Sequence, residues 1–152
     1  MGAARENVFE LGTDGPTAIV VGVDGSTTSM RAGAYAAGLA RRQRARLIIV
    51  YVVSPGGLAE LTPEAVVQAQ RAHQEIVEEL RQQAEHARAR YGLTYTFLVV
   101  RGDPYRELVR IAEEQRADAI VVGASTGFGH RVMGSLAVRL VRARRWPVTV
   151  VP

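Results

Sequence analysis

Five short apolar runs rich in valine and isoleucine, separated by four longer segments of helical character, constrain this chain more than any other feature. The runs are Thr17–Val23, Leu47–Val53, Thr94–Val100, Ala119–Val122 and Pro147–Val151. Uninterrupted runs of this length suit strands buried on both faces. Their alternation with helices predicts an α/β fold: one doubly wound, five-stranded, mostly parallel sheet with helices on both faces and right-handed crossovers. In open sheets of this kind, ligands bind beyond the carboxyl ends of strands, where the strand order reverses.

The helical segments carry their own punctuation. Ser26 or Thr27 can cap the first helix, because a short hydroxyl satisfies a free backbone N–H. Met30, Ala34, Ala37 and Ala40 form its expected inner stripe, and Arg41, Arg42, Arg44 and Arg46 mark its end. Ser54-Pro55-Gly56-Gly57 breaks regular structure after the second run, and Thr62-Pro63-Glu64 starts a second helix that Gly92 can stop in the left-handed region. Its expected stripe runs through Ala65, Val66, Ala69, His73, Ile76, Leu80, Ala84 and Ala87. Asp103-Pro104 caps and opens a third helix with Leu108, Ile111 and Ala112 inward. Ser135–Arg144 reads as a fourth, with Ala137, Val138 and Val141 inward.

Composition removes several classes of function. At 152 residues the chain reads as one domain, residues 17–152, after a flexible lead of residues 1–16. That lead has no apolar centre and is not a signal peptide; no apolar run is long enough to cross a bilayer, so a cytoplasmic protein is expected. There is no cysteine, which excludes disulfides, thiolate metal sites and a cysteine nucleophile. There is no lysine either, so a Schiff base and a Walker-A lysine are excluded. The formal charge is +4, but the arginines are interspersed with Glu, as in Glu78-Glu79-Leu80-Arg81, and read as solvated faces rather than a nucleic-acid surface. His73, His86 and His130 show no metal-ligand spacing, and no metal ligand is assigned.

Two glycine-bearing loops follow apolar runs. The first is Gly22-Val23-Asp24-Gly25-Ser26; the second spans Gly123 to Ser135 and includes Gly127, Gly129, His130, Arg131 and Gly134. If they meet at one end of a sheet, they form an anion-friendly pocket lined by backbone.

These loops and three local matches resemble the universal stress protein family from Thr17 to Pro152. The matches are Val20-Val21-Gly22-Val23-Asp24-Gly25-Ser26; Arg101-Gly102-Asp103-Pro104 with Ile111-Ala112 and Asp118–Gly123; and Gly134-Ser135 followed by Pro147–Val151. The resemblance implies strand order 3-2-1-4-5, a fold of the adenine nucleotide alpha hydrolase type, with the order reversing between strands 1 and 4. It implies ATP or another adenine nucleotide as ligand, with Mg2+ as the companion ion of ATP. It places Asp24 and Gly25 at the adenosine end and backbone of Tyr51 or Val52 at the base edge. It also implies a homodimer through the final strand, Pro147–Val151, an apolar edge able to pair.

At the phosphate end, Gly123 and Gly127 would let backbone approach a pyrophosphate. Gly134-Ser135 would open a helix whose free N–H groups favour phosphate. His130 and Arg131 could add charge-assisted bonds. Nucleotide-binding members carry G-x2-G-x9-G-[ST] here. In this chain Gly127 is the next glycine after Gly123, Gly129 follows, and Gly134 closes the loop two residues early. Ala137, after Leu136, stands where binders often carry a hydroxyl. Two readings follow: a nucleotide-regulated stress protein, or a dimeric interaction module whose pocket takes no nucleotide. No catalytic set is legible. Ser26 and Ser135 lack a paired histidine and acid, and only Asp24 and Ser135 are candidates for weak ATP hydrolysis.

Overall fold

The computed structural model describes residues 17–54, 62–125 and 134–152. Side chains in a strand point alternately to opposite faces, and that period builds two cores here. In β1 (Ala18–Val23), Ile19, Val21 and Val23 face one helical layer while Ala18 and Val20 face the other. In β2 (Arg46–Val53), Leu47, Ile49 and Tyr51 join the first core, and Ile48 and Val50 the second. β3 (Tyr95–Arg101), β4 (Ala119–Gly123) and β5 (Val148–Val151) complete a five-stranded sheet. Its order is β3-β2-β1-β4-β5, with every neighbouring pair parallel. The order reverses between β1 and β4, as the resemblance implies.

Helices α1 (Thr27–Gln43) and α2 (Pro63–Tyr91) cover one face; α3 (Pro104–Glu114) and α4 (Ser135–Ala143) cover the other. Their starts follow the cap residues. Ser26 Oγ accepts from Ser29 N at 3.3 Å, Thr62 Oγ1 from Ala65 N at 3.1 Å and Asp103 Oδ2 from Arg106 N at 3.0 Å. Gly92 stops α2 at φ 71°, its N–H donating to Arg88 O at 3.0 Å. Three other turns use arginine in the same left-handed region: Arg44 at φ 54°, Arg116 at 53° and Arg144 at 54°.

Two helical faces differ from the sequence expectation. The buried stripe of α1 is Ser29, Ala32, Ala36 and Ala40; Met30 and Ala37 are half-buried and Ala34 is exposed. Small residues occupy several sides of α1, so hydrophobic contrast does not select one of them, and the sheet takes the side that approaches closest. In α4 the buried pair is Ala137 and Leu140, whereas Val141 is 47% exposed. Leu108, Ile111 and Ala112 of α3 are buried as expected. Burial of a Leu or Ile side chain of this kind contributes about 1.5–3 kcal/mol.

Candidate functional site

At the reversal between β1 and β4, the carboxyl ends of the strands open onto a cavity of about 310 Å3. Three helix N-termini border it. Ser26, Thr28 and Ser29 come from α1, Pro104 and Leu108 from α3, and Gly134 to Ala137 from α4. Gly22, Val50, Val52 and Val122 supply an apolar floor from the sheet. Among the described residues no arginine lines it.

The three N-termini are not equivalent. α1 is capped by Ser26, and α3 by Asp103. α4 begins at Gly134, which has no side chain to offer and makes no cap bond. Its first backbone N–H groups therefore receive no side-chain cap bond from the N-cap residue, unlike those of α1 and α3. With the positive end of the helix dipole, they form an anion-seeking patch. Arg139, one turn into α4, is engaged: it pairs with Asp103 at 3.3 Å and stacks over the Tyr105 ring at 4.2 Å. Hydrogen bonding to Arg106 N comes first among the effects that hold the Asp103 carboxyl below the usual carboxylate range, with Arg139 adding to it.

Asp24 sits on the other wall. Its Oδ1 accepts from Ser26 N at 2.9 Å, which folds the β1–α1 turn back on itself. Asp24 N donates to Ser29 Oγ at 3.1 Å, and that hydroxyl donates to Ser26 O at 3.0 Å. Partial burial pushes the Asp24 carboxyl up, but hydrogen bonds from Ser26 and Ser29 outweigh it, and the group lies below its ordinary value. Asp24 is therefore an anion at neutral pH, an acceptor suited to hydroxyl donors.

Glycines shape the same region by close approach. A Cβ at Gly123 would lie 2.6 Å from the Thr28 carbonyl carbon and 2.7 Å from Ser29 N, so β4 and α1 pack backbone to backbone. Thr28 Oγ1 donates to Ala124 O at 2.6 Å across the same seam. A Cβ at Gly134 would lie 2.7 Å from Ser125 Cβ, which brings the two ends of the β4–α4 connection together. The glycine requirement at both positions is set by protein packing.

Of the residues expected from sequence, Asp24, Val52, Gly123, Gly134, Ser135, Leu136 and Ala137 border this one cavity. Gly127, Gly129, His130 and Arg131 lie outside the described residues, as do the lead 1–16 and Pro55-Gly56-Gly57. Gly25 and Tyr51 are not among the lining residues. Gly25, at φ 85°, backs onto α2, where a Cβ would meet Ile76 Cγ2 at 2.9 Å. Tyr51 points to the α1–α2 core because it neighbours Val52 in a strand, and adjacent strand residues face opposite ways. Its hydroxyl meets His73 Nδ1 at 2.5 Å, and burial, then the Asp24 charge, push the phenol above its ordinary range. Sequence reasoning passed over Thr28, Ser29 and Leu108 as lining residues. The hydroxyl run Ser26–Ser29 was the available signal.

Among the described residues no cluster of three histidine, aspartate or glutamate side chains could hold a metal, and no helix is long and apolar enough to cross a membrane.

Comparison with known proteins agrees with this architecture. The universal stress protein family model matches residues 17–152. Universal stress protein MJ0531 of Methanocaldococcus jannaschii is 32% identical over 140 residues, covering 88% of this chain and 80% of that protein. Universal stress protein UspA from Lactobacillus plantarum superposes with a TM-score of 0.74 at 26% identity, over 90% of this chain and 97% of that one. A universal stress protein solved in complex with cAMP superposes with a TM-score of 0.67 at 28% identity, over 90% of this chain and 96% of that one.

Proposed function

The chain belongs to the universal stress protein family, and on that footing we propose that it binds an adenine nucleotide, ATP or AMP, as a regulatory ligand in the stress response. One observation carries the reading: a single cavity at the strand-order reversal has an ionised carboxylate, Asp24, on one wall and the uncapped start of α4 on another. A nucleotide has the matching polarity. Ribose hydroxyls donate to a carboxylate, and a phosphate accepts from backbone N–H groups at Ser135, Leu136 and Ala137. Val52 would offer backbone and apolar contact to the base. The cavity, about 310 Å3, lies at the small end of ligand sites, which favours a short phosphate chain. The relative solved with cAMP carries one phosphate. Binding would shift dimer shape or partner affinity rather than drive turnover.

The same reading puts the protein in the cytoplasm as a homodimer paired through β5. That strand is an edge of the sheet, and all four of its residues are only half-buried in the single chain. Val150→Asp should give a monomer in sedimentation with unchanged circular dichroism; an unchanged mass removes the dimer assignment.

Nucleotide released from freshly purified, denatured protein, read by absorbance and chromatography, tests the main reading. Calorimetric titration with AMP and with ATP, each with and without Mg2+, follows. Asp24→Asn keeps the turn-forming oxygen and removes the charge, so it should weaken binding without unfolding the turn. Silence in both the release and titration experiments would leave the second reading, a dimeric interaction module with no nucleotide. That alternative draws on Gly25, Gly123 and Gly134, whose glycines meet packing demands without a ligand.

A further inference from the structure

A second cavity, of about 340 Å3, lies on the opposite face of the sheet between α1 and α2. It runs along α1 from Met30 to Arg41 and is closed on the other side by Leu80, Gln83, Ala84 and Ala87 of α2, Gln83 being the one polar uncharged side chain among them. Gly33, Ala34, Ala37 and Gly38 keep α1 thin along this line, so the two helices do not fill the space between them. The Met30–Ala34–Ala37 stripe expected to meet the sheet borders this gap instead.

The gap is apolar in its depth and cationic at one end. Arg41 and Tyr91 form its mouth, with the Arg41 guanidinium 5.0 Å from the Tyr91 ring centroid. Arg90 flanks the same ring at 5.7 Å. Arg42 lies alongside, its Nη1 3.1 Å from where a Gly38 Cβ would be. None of the three has a carboxylate partner among the described residues, whereas Arg88, Arg110, Arg139 and Arg145 are each paired. An apolar gap of this volume with few polar groups is the usual make-up of a small-ligand site. Unpaired guanidiniums at one end select the charge of the occupant.

We propose that this cavity binds a medium-chain carboxylate, with its hydrocarbon tail between α1 and α2 and its carboxylate at Arg41. At about 30 Å3 for a group the size of a water molecule, the space takes roughly ten heavy atoms, the size of octanoate. Ala34, Ala37, Ala84 and Leu93 receive the tail. Arg41 receives the head. The cavity at the strand-order reversal shares only Val23 with this one.

The test is an amide NMR titration of the full chain with sodium octanoate below its micelle concentration. Saturable shifts are expected at Ala34, Ala37, Gly38, Ala84 and Leu93. Affinity should rise by roughly fourfold per CH2 from hexanoate to octanoate. Arg41→Gln, a surface change that leaves the core intact, should weaken octanoate by about fivefold. Ala37→Leu should fill the gap and weaken it by roughly tenfold. Octyltrimethylammonium should not bind. Equal affinity for octanol and octanoate, insensitivity to Arg41→Gln, or shifts confined to the Asp24–Ser135 cavity would each overturn the proposal. Shifts of the same α1 and α2 amides with protein concentration, without any octanoate effect, would assign the gap to a second copy of the chain and overturn it too.

Discussion

The starts of α1 and α4 face one cavity from opposite sides, yet they are finished in opposite ways. At α1, Ser26 caps the helix, Asp24 accepts from Ser26 N, and Ser29 bonds back into the turn. Ser26 Oγ, Ser29 Oγ and one oxygen of the Asp24 carboxylate are held within the turn, and Asp24 also lines the cavity. At α4, Gly134 contributes no cap at all. A glycine at this position costs only about a few tenths of a kcal/mol relative to Ser or Asp, so the open start is tolerated. The contrast teaches that side chains finish one helix start, whereas at the other the N-cap residue offers only backbone.

The strongest way to break the comparison is at the seam that holds the two starts together. Gly123→Ala forces a Cβ to 2.6 Å from backbone of Thr28, and neither partner is a flexible side chain. We expect a loss of about 1–3 kcal/mol or more in urea unfolding. Full wild-type stability in that variant would mean that β4 and α1 do not meet as described.

Ser26→Ala attacks only the closed start. The Ser29 N–H loses its acceptor, and chemical denaturation should show a loss of about 1 kcal/mol. The matching change at the open start has the opposite sign. Ser135→Asp adds a negative charge to the first turn of α4 and should stabilise the free protein by about 0.3–1 kcal/mol. The same charge should weaken nucleotide binding by roughly tenfold in calorimetry, through repulsion of the phosphate. If Ser135→Asp left binding unchanged, α4 would not be the phosphate end.

The smallest effect sharpens the role of Asp24. Its carboxyl titrates below its ordinary value in the folded state because Ser26 and Ser29 hydrogen bonds outweigh partial burial. A depressed folded-state pKa adds stability that is complete above the unfolded value, near pH 4, and fades as pH falls through the folded value. Unfolding of wild type and Asp24→Asn, compared at pH 6 and pH 3, should therefore converge toward the acid side. A difference that stays constant across that range would remove the hydrogen-bonded carboxylate from the account.

What could be read from the residues divides by range. Caps at Ser26, Thr62 and Asp103, and the stop at Gly92, depend on neighbours within a few positions, and they stand as expected. Strand existence followed from unbroken Val and Ile runs, with boundaries shifted by a residue, as at Ala18 and Tyr95. The inward face of α1 was misread, because alanine and glycine recur on several of its sides and carry little contrast. The opposite fates of Tyr51 and Val52 were implicit in the two-residue period, but choosing between them required knowing which helices cover which face. Gly123 is legible as special from the loop pattern, but its packing demand is not. Its demand comes from Thr28, 95 positions away, joined by a turn of the fold that no local pattern announces.

Arg44, Arg116 and Arg144 all hold a left-handed backbone, and all precede strands, at the amino ends of the sheet, away from the cavity at the carboxyl ends. A residue with a Cβ is strained there by roughly 1–2 kcal/mol, a strain that glycine does not feel. The left-handed arginines and the cavity thus lie at opposite ends of the strands. Exchanging these arginines for glycine, one at a time, is therefore expected to relieve strain at a distance from the cavity.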